Sequence, residues 1–263
     1  GSSLMMPKAI LLIGGVLVAT LFWAGLARPT LGWLVMALGV ALAAHVSGRL
    51  AEPPPLARVD LPKAVIDRSH GERFDELTWY EDCIGGLKLN LMRNGYCPML
   101  MREFSGSLVG EGKILVVVAP AQAFSRSQLE VIEDFVNRGG ILLLSTGYEE
   151  KDGSESLLSL FGARIRNVPL AHFETDALGQ TVRFSEAWPL EVSGSDAVPI
   201  CHHPDFPDPV VTFIPRGEGG ALVIGDSTFL LNSNLEGLKV WHVGNIMFLR
   251  ELFERLKAGE IGS

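Results

Sequence analysis

The spacing of hydrophobic positions changes along the chain, and the changes mark its parts. Two unbroken apolar stretches come first, Ala9–Ala27 (AILLIGGVLVATLFWAGLA) and Leu31–Gly48 (LGWLVMALGVALAAHVSG), neither with a formal charge. Each approaches the ~20 residues a helix needs to cross ~30 Å of hydrocarbon. Arg28-Pro29-Thr30 between them leaves room only for a tight turn. The pair is expected to form a transmembrane helical hairpin over 9–48. Residues 1–8 precede it, and Gly1-Ser2-Ser3 reads as a tag scar, with the native start at Met5 or Met6. Ala51-Glu52-Pro53-Pro54-Pro55 then reads as an extended spacer within a proline-rich linker over 49–62.

From Lys63 the apolar runs shorten and alternate with helical periodicity. Lys63–Asp67 (KAVID) reads as a buried strand. Trp79–Asn94 carries Tyr80, Ile84, Leu87, Leu91 and Met92 at helical spacing, closed by Gly95. Tyr96–Arg102 is a second strand, placed at an edge by Pro98. KILVVVAP after Gly112 has the continuous Ile/Leu/Val content of a central parallel strand. Ser125-x-x-Gln128 is a capping box opening a helix with Leu129, Ile132, Phe135 and Val136 on one face; Gly139-Gly140 ends it, and Ile141–Leu144 is the next strand. Ser154–Phe161 is a short helix. Arg164–Pro215 changes to short alternating stretches broken by prolines, a β-rich extension or antiparallel edge. Ala221–Ile224 returns as a core strand, and Trp241–Leu256 is the last amphipathic helix. Strands alternating with helices predict one α/β domain over 63–257 with a parallel sheet and right-handed crossovers, followed by a tail at 258–263.

Charge sharpens the division. The mean hydropathy of the 263 residues is +0.27 and the net charge −8. The first 48 residues hold two basic and no acidic side chains, so the remaining 215 carry 20 basic and 30 acidic ones, a net −10. An acidic body repels phosphate, which argues against nucleic acid as a partner. Lys8 before the first apolar stretch and Arg49, Arg58, Lys63 and Arg68 after the second place both ends of the hairpin in the cytoplasm. The expected location is therefore the inner (cell) membrane, multi-pass, with a cytoplasmic α/β domain. Cys83, Cys97 and Cys201 are odd in number and match no zinc spacing, which suits buried thiols in a reducing compartment.

Ligands of open parallel sheets sit beyond the carboxyl ends of the strands. Those ends supply Asp67-Arg68-Ser69-His70-Gly71-Glu72 and Gly225-Asp226-Ser227, and Asn245 opens the last helix beside the second of them. Asp67, His70, Glu72, Asp226, Ser227 and Asn245 are the ligand-binding candidates: the aspartates as acceptors, His70 as the titratable contact and Asn245 as a donor. Asp226 is expected to join Asp67 and His70 in space. The same groups also suit a purely structural role, bonding loop backbones and capping helices. No G-x-S-x-G elbow, Walker A or G-x-G-x-x-G sequence is present. Cys201-His202-His203-x-Asp205 has the wrong spacing for a standard zinc site. No cofactor and no metal is implied.

The order AVIDRSHGERF (64–74), Asn94-Gly95-Tyr96, ILVVVAP (114–120), ILLLSTG (141–147), IGDSTFLLNSN (224–234) and His242-Val243-Gly244-Asn245 resembles a domain of unknown function in prokaryotic membrane proteins. That domain is amidotransferase-like and related to the GldG-type auxiliary component of ABC transport systems. The resemblance covers about Lys63–Leu256. It implies a class-I glutamine-amidotransferase-like, flavodoxin-like sandwich. Active members carry a cysteine at a strand–helix elbow; this sequence lacks it, so glutaminase chemistry is expected to be absent. The expected function is a membrane-anchored, non-catalytic binding or scaffold module in a transporter or ATPase-linked complex. Its partners would be the bilayer, a protein in a membrane complex and a small-molecule ligand, with no nucleic acid. The alternative is a hydrolase using Asp67 and His70.

Overall fold

The computed structural model describes residues 60–76, 79–239 and 241–261. The expected hairpin over 9–48, and the linker as far as residue 59, lie outside the described residues. Among the described residues no helix is long and apolar enough to cross a membrane.

The chain runs β1 (Lys63–Asp67), α1 (Gly85–Arg93), β2 (Cys97–Met101), α2 (Gly106–Glu111), β3 (Gly112–Val118), α3 (Arg126–Asn137), β4 (Ile141–Ser145), α4 (Lys151–Leu160). Six short strands follow: β5 (Ala163–Ile165), β6 (Ala171–Ala177), β7 (Gln180–Ala187), β8 (Leu190–Val192), β9 (Val198–His202) and β10 (Pro209–Arg216). β11 (Gly219–Ile224) and α5 (Val243–Ala258) complete it. Seven strands form one mixed sheet in the order β2-β1-β3-β4-β11-β10-β9, parallel from β2 to β11 and antiparallel beyond. β2, with Pro98, is an edge, as its proline requires. The β-rich stretch divides: β9 and β10 extend the main sheet, while β5–β8 and β6–β7 form separate two-stranded ribbons.

Strand alternation sorts the core into two faces. Ala64, Ile66, Ile114, Val116, Ile141 and Leu143 pack with Leu87 and Leu91 of α1 and Phe248, Leu249 and Leu252 of α5. Val65, Leu115, Val117, Leu142 and Leu144 pack with Val109 of α2, Ile132, Phe135 and Val136 of α3, and Leu157 of α4. The result is a three-layer arrangement in which β1, β3 and β4 are buried on both sides, as their unbroken apolar runs require.

Three helices differ from expectation at their starts, the last beginning at Val243 rather than Trp241. The segment from Trp79 to Ile84 is turn rather than helix, because Cys83 N–H bonds Tyr80 O (3.2 Å) and Ile84 N–H bonds Asp75 O (3.0 Å). The fourth helix begins at Lys151, not Ser154, and α2 occupies the connection between β2 and β3.

Close helix–sheet approach depends on Gly153 in α4. A Cβ there would lie 1.9 Å from Pro120 O at the end of β3, a backbone atom with no freedom to yield. Gly153→Ala should therefore destabilise the domain by about 1–3 kcal/mol, the usual range for overpacking, read as a lower urea midpoint at unchanged m-value. An unchanged midpoint would contradict this packing.

Candidate functional site

The strand order changes direction between β1 and β3, since β1 leads to β2 on one side while β3 lies on the other. Crevices at such points are where doubly wound sheets take ligands. Here the loop after β1 fills the crevice. His70 O accepts backbone hydrogen bonds from Ala121 (3.0 Å) and Gln122 (2.9 Å) of the loop after β3, and Arg73 N–H reaches Ala119 O (3.2 Å). Gly71 makes the turn at φ +64°, a left-handed conformation that favours glycine.

Within this loop Asp67, His70 and Glu72 are 1 %, 3 % and 9 % exposed. Asp67 Oδ1 accepts from Ser69 N–H (3.1 Å) and Ser69 Oγ (2.6 Å), while Asp67 Oδ2 lies 2.6 Å from His70 Nδ1. Glu72 Oε1 accepts from His70 N–H at 3.2 Å. The imidazole stacks on Phe124 with 3.6 Å between centroids and meets Phe104 edge-on. Its Nε2 lies 3.3 Å from Gln128 Oε1.

The capping box decides what that last contact means. Gln128 Oε1 accepts Ser125 N–H at 2.7 Å, and Ser125 Oγ accepts Gln128 N–H. Gln128 therefore presents a carbonyl oxygen to the ring, an acceptor for Nε2 when that nitrogen is protonated. Nδ1 faces a carboxylate oxygen, which is also an acceptor. Ser69 Oγ also lies 3.0 Å from Nδ1. The protonated ring is satisfied at both nitrogens, whereas the neutral ring keeps its proton on Nδ1 for Asp67 and leaves Nε2 bare before Gln128 Oε1. Burial alone lowers the His70 pKa; the hydrogen bond and charge of Asp67, with Gln128 and Glu72, outweigh it and raise it above its ordinary 6.5. Burial, together with the Asp67 charge, also raises Glu72.

Asp226, Ser227 and Asn245 belong to a second network. They sit at the same sheet edge, but β11 is three strand positions from β1, about 14 Å at ~4.8 Å per strand, and no hydrogen bond joins the two groups among the described residues. Asp226 does not join Asp67 and His70. Its buried carboxylate accepts from Ser185 N–H (2.8 Å), Glu186 N–H (3.0 Å), Thr228 N–H (2.8 Å) and Thr228 Oγ1 (2.7 Å). Asn245 pairs with the Arg183 backbone in both directions (2.8 and 2.9 Å) and donates to Asn234 O at 2.9 Å. Asn234 in turn accepts from Ser185 Oγ (2.8 Å) and donates to Thr228 O (3.0 Å). Ser227 is buried beside them. This network fastens β7 and the start of α5 to the end of β11.

Phe124, Gln128, Ser185 and Asn234 complete the two clusters and were not among the sequence candidates. Gln128 was visible as a capping residue, but its contact with His70 spans 58 positions. Cys83 and Cys201 are buried, Cys97 is half-buried, and burial pushes the Cys201 thiol up to about 12.

No family model matches the chain, and no curated protein matches it. Solved structures do. The mmIFT52 N-terminal domain is similar at TM-score 0.59 and 16 % identity, covering 76 % of this chain and 99 % of that domain. Two cytoplasmic proteins of Salmonella typhimurium, one from strain LT2, follow. The LT2 protein has TM-score 0.52 and 13 % identity over 74 % of this chain and 99 % of its own; the other has 0.51 and 15 % over 74 % and 98 %. At these identities the likeness is one of fold.

The expected multi-pass location in the inner membrane is corrected on these findings. No helix among the described residues is long and apolar enough to cross a membrane, and two of the similar structures are titled cytoplasmic proteins. The longest described helix, α5, has 16 residues and carries Arg250, Glu251, Glu254 and Arg255.

Two outcomes follow from the networks. Asp226→Ala leaves three backbone N–H groups and a hydroxyl without their acceptor, and should cost about 3–5 kcal/mol, the scale for breaking a buried charged network, in urea unfolding. His70 and Glu72 both bind protons more tightly when folded, so the folded chain holds more protons than the unfolded one between each pair of pKa values. Their contribution is complete below the unfolded pKa and is lost as pH rises through the folded one. Metal-free protein should thus lose stability as pH climbs above 6.5, and His70→Gln should flatten that slope. A wild-type stability that rises over this interval would contradict the protonated ring.

Proposed function

We propose that the chain is a non-catalytic α/β binding or scaffold module, an auxiliary subunit of a larger protein assembly such as a transporter or ATPase-linked system. In this reading its fold is of the flavodoxin-like, amidotransferase-like kind, and it belongs with the GldG-related domains its motifs resemble. The observation that carries it is the closed crevice: where a doubly wound sheet takes substrate, this chain stacks its own His70 on Phe124.

Two details support it. Ala119, fully buried at the end of β3, has φ +49°, the strained strand-end backbone on which elbow enzymes mount a nucleophile. Here that position carries only a methyl group. Hydrolytic use of the Asp67–His70 pair would also require the far ring nitrogen to face a nucleophile, and it faces Gln128 Oε1.

Gel filtration of native extract, followed with an antibody, tests this. The chain should elute in an assembly well above its own 28.5 kDa, and purified protein should show no ester, amide or phosphoester hydrolysis that His70→Ala removes. A free monomer with turnover lost in His70→Ala would favour the hydrolase instead.

A further inference from the structure

We propose that the loop after β1 holds a divalent first-row transition-metal ion on Asp67, His70 Nδ1 and Glu72, as a clasp that locks the loop into the crevice. This goes beyond the scaffold reading and does not depend on it.

Three observations carry the site. One ligand atom from each of the three residues lies within 4.8 Å of the other two. His70 Nδ1 and Asp67 Oδ2 face each other at 2.6 Å, and Gln128 Oε1 is placed to accept from a protonated Nε2, which frees the Nδ1 lone pair for an ion. In metal-free protein a proton lies between Nδ1 and Oδ2; a metal ion takes its place, the proton departing to solvent. Finally, among the described residues neither carboxylate has a Lys or Arg hydrogen bonded to it. Asp67 is served by Ser69 and His70, and Glu72 by backbone N–H groups, with the Arg68 charge nearby but its guanidinium bonded to Glu76.

Charge balance favours the ion. Two carboxylates with an imidazolium sum to −1 in a buried loop, and two carboxylates with neutral imidazole and a divalent ion sum to zero. The Gln128 carbonyl on the opposite ring nitrogen is the arrangement by which proteins orient a ligating histidine. One nitrogen and two carboxylate oxygens suit Zn2+ and its neighbours over Mg2+ or Ca2+. A tetrahedral ion ~2.1 Å from its ligands sets them about 3.4 Å apart, so the 2.6 Å Nδ1–Oδ2 pair opens by about 0.8 Å while Glu72 turns inward.

Chelator-stripped full-length protein dialysed against Zn2+ should retain one ion per chain, undisplaced by excess Mg2+. Asp67→Asn and His70→Ala should each weaken binding at least tenfold, and Gln128→Ala, outside the ligand set, by about 10- to 100-fold. His202→Ala should leave it unchanged. Failure of wild type to retain Zn2+, or full retention in His70→Ala, would overturn the site. Should a ligand variant not fold, 15N-histidine spectra of wild type decide: Zn2+ must move the His70 Nδ1 resonance while the Nε2 proton stays, and an unmoved Nδ1 overturns it.

Discussion

His70 has a hydrogen-bond acceptor at each ring nitrogen, and the architecture of the strand-end crevice depends on that fact. A neutral imidazole offers one donor and one acceptor. Placed between Asp67 Oδ2 and the Gln128 carbonyl, it keeps Nδ1–H on the carboxylate and sets its Nε2 lone pair against the carbonyl oxygen. Protonating the ring removes that conflict and makes the Asp67 contact charge-assisted, about twice as strong as a neutral hydrogen bond. Stacking on Phe124 holds the ring at the angle where both contacts are made.

The sheet explains why this contact has long reach. Asp67 ends β1, Phe124 follows β3, and Gln128 lies in the first turn of α3. One ring thus ties a strand, the neighbouring strand's exit loop and a helix start across the position where the strand order reverses. The Asp226 network performs a parallel task three strands away, tying β7 and α5 to β11. Both are closed, and the carboxyl edge is organised as two fasteners rather than one open pocket. That division underlies the scaffold reading: the edge that carries substrate in many α/β enzymes is here occupied by the chain itself.

Much of the fold was legible because its signals are local. KAVID, ILVVV and ILLLS each carry the uninterrupted β-branched and leucine content of a strand buried on both faces, and Ser125/Gln128 announced α3 through a spacing rule. Pro98 marked an edge. The start of α1 departs from the pattern because Tyr80 and Ile84 keep helical spacing while Tyr80 O accepts from Cys83 N–H and Ile84 N–H bonds Asp75 O. The candidate residues proved to be buried polar groups, five at or just after strand ends and Asn245 in the first turn of α5, yet their grouping was not legible. A sequence shows that Asp67 and Asp226 both follow strands, but only the strand order places β3 and β4 between them. The Gln128 contact likewise needs the β1–β3 adjacency, which no local pattern encodes.

The charge on His70 is the point on which the account turns. In chelator-stripped protein with 15N-labelled histidine, at pH 6.5, where a free imidazole is half protonated, the His70 ring nitrogens should give predominantly the matched shifts of an imidazolium. A single protonated nitrogen, with the other at the shift of a bare lone pair, would contradict the account.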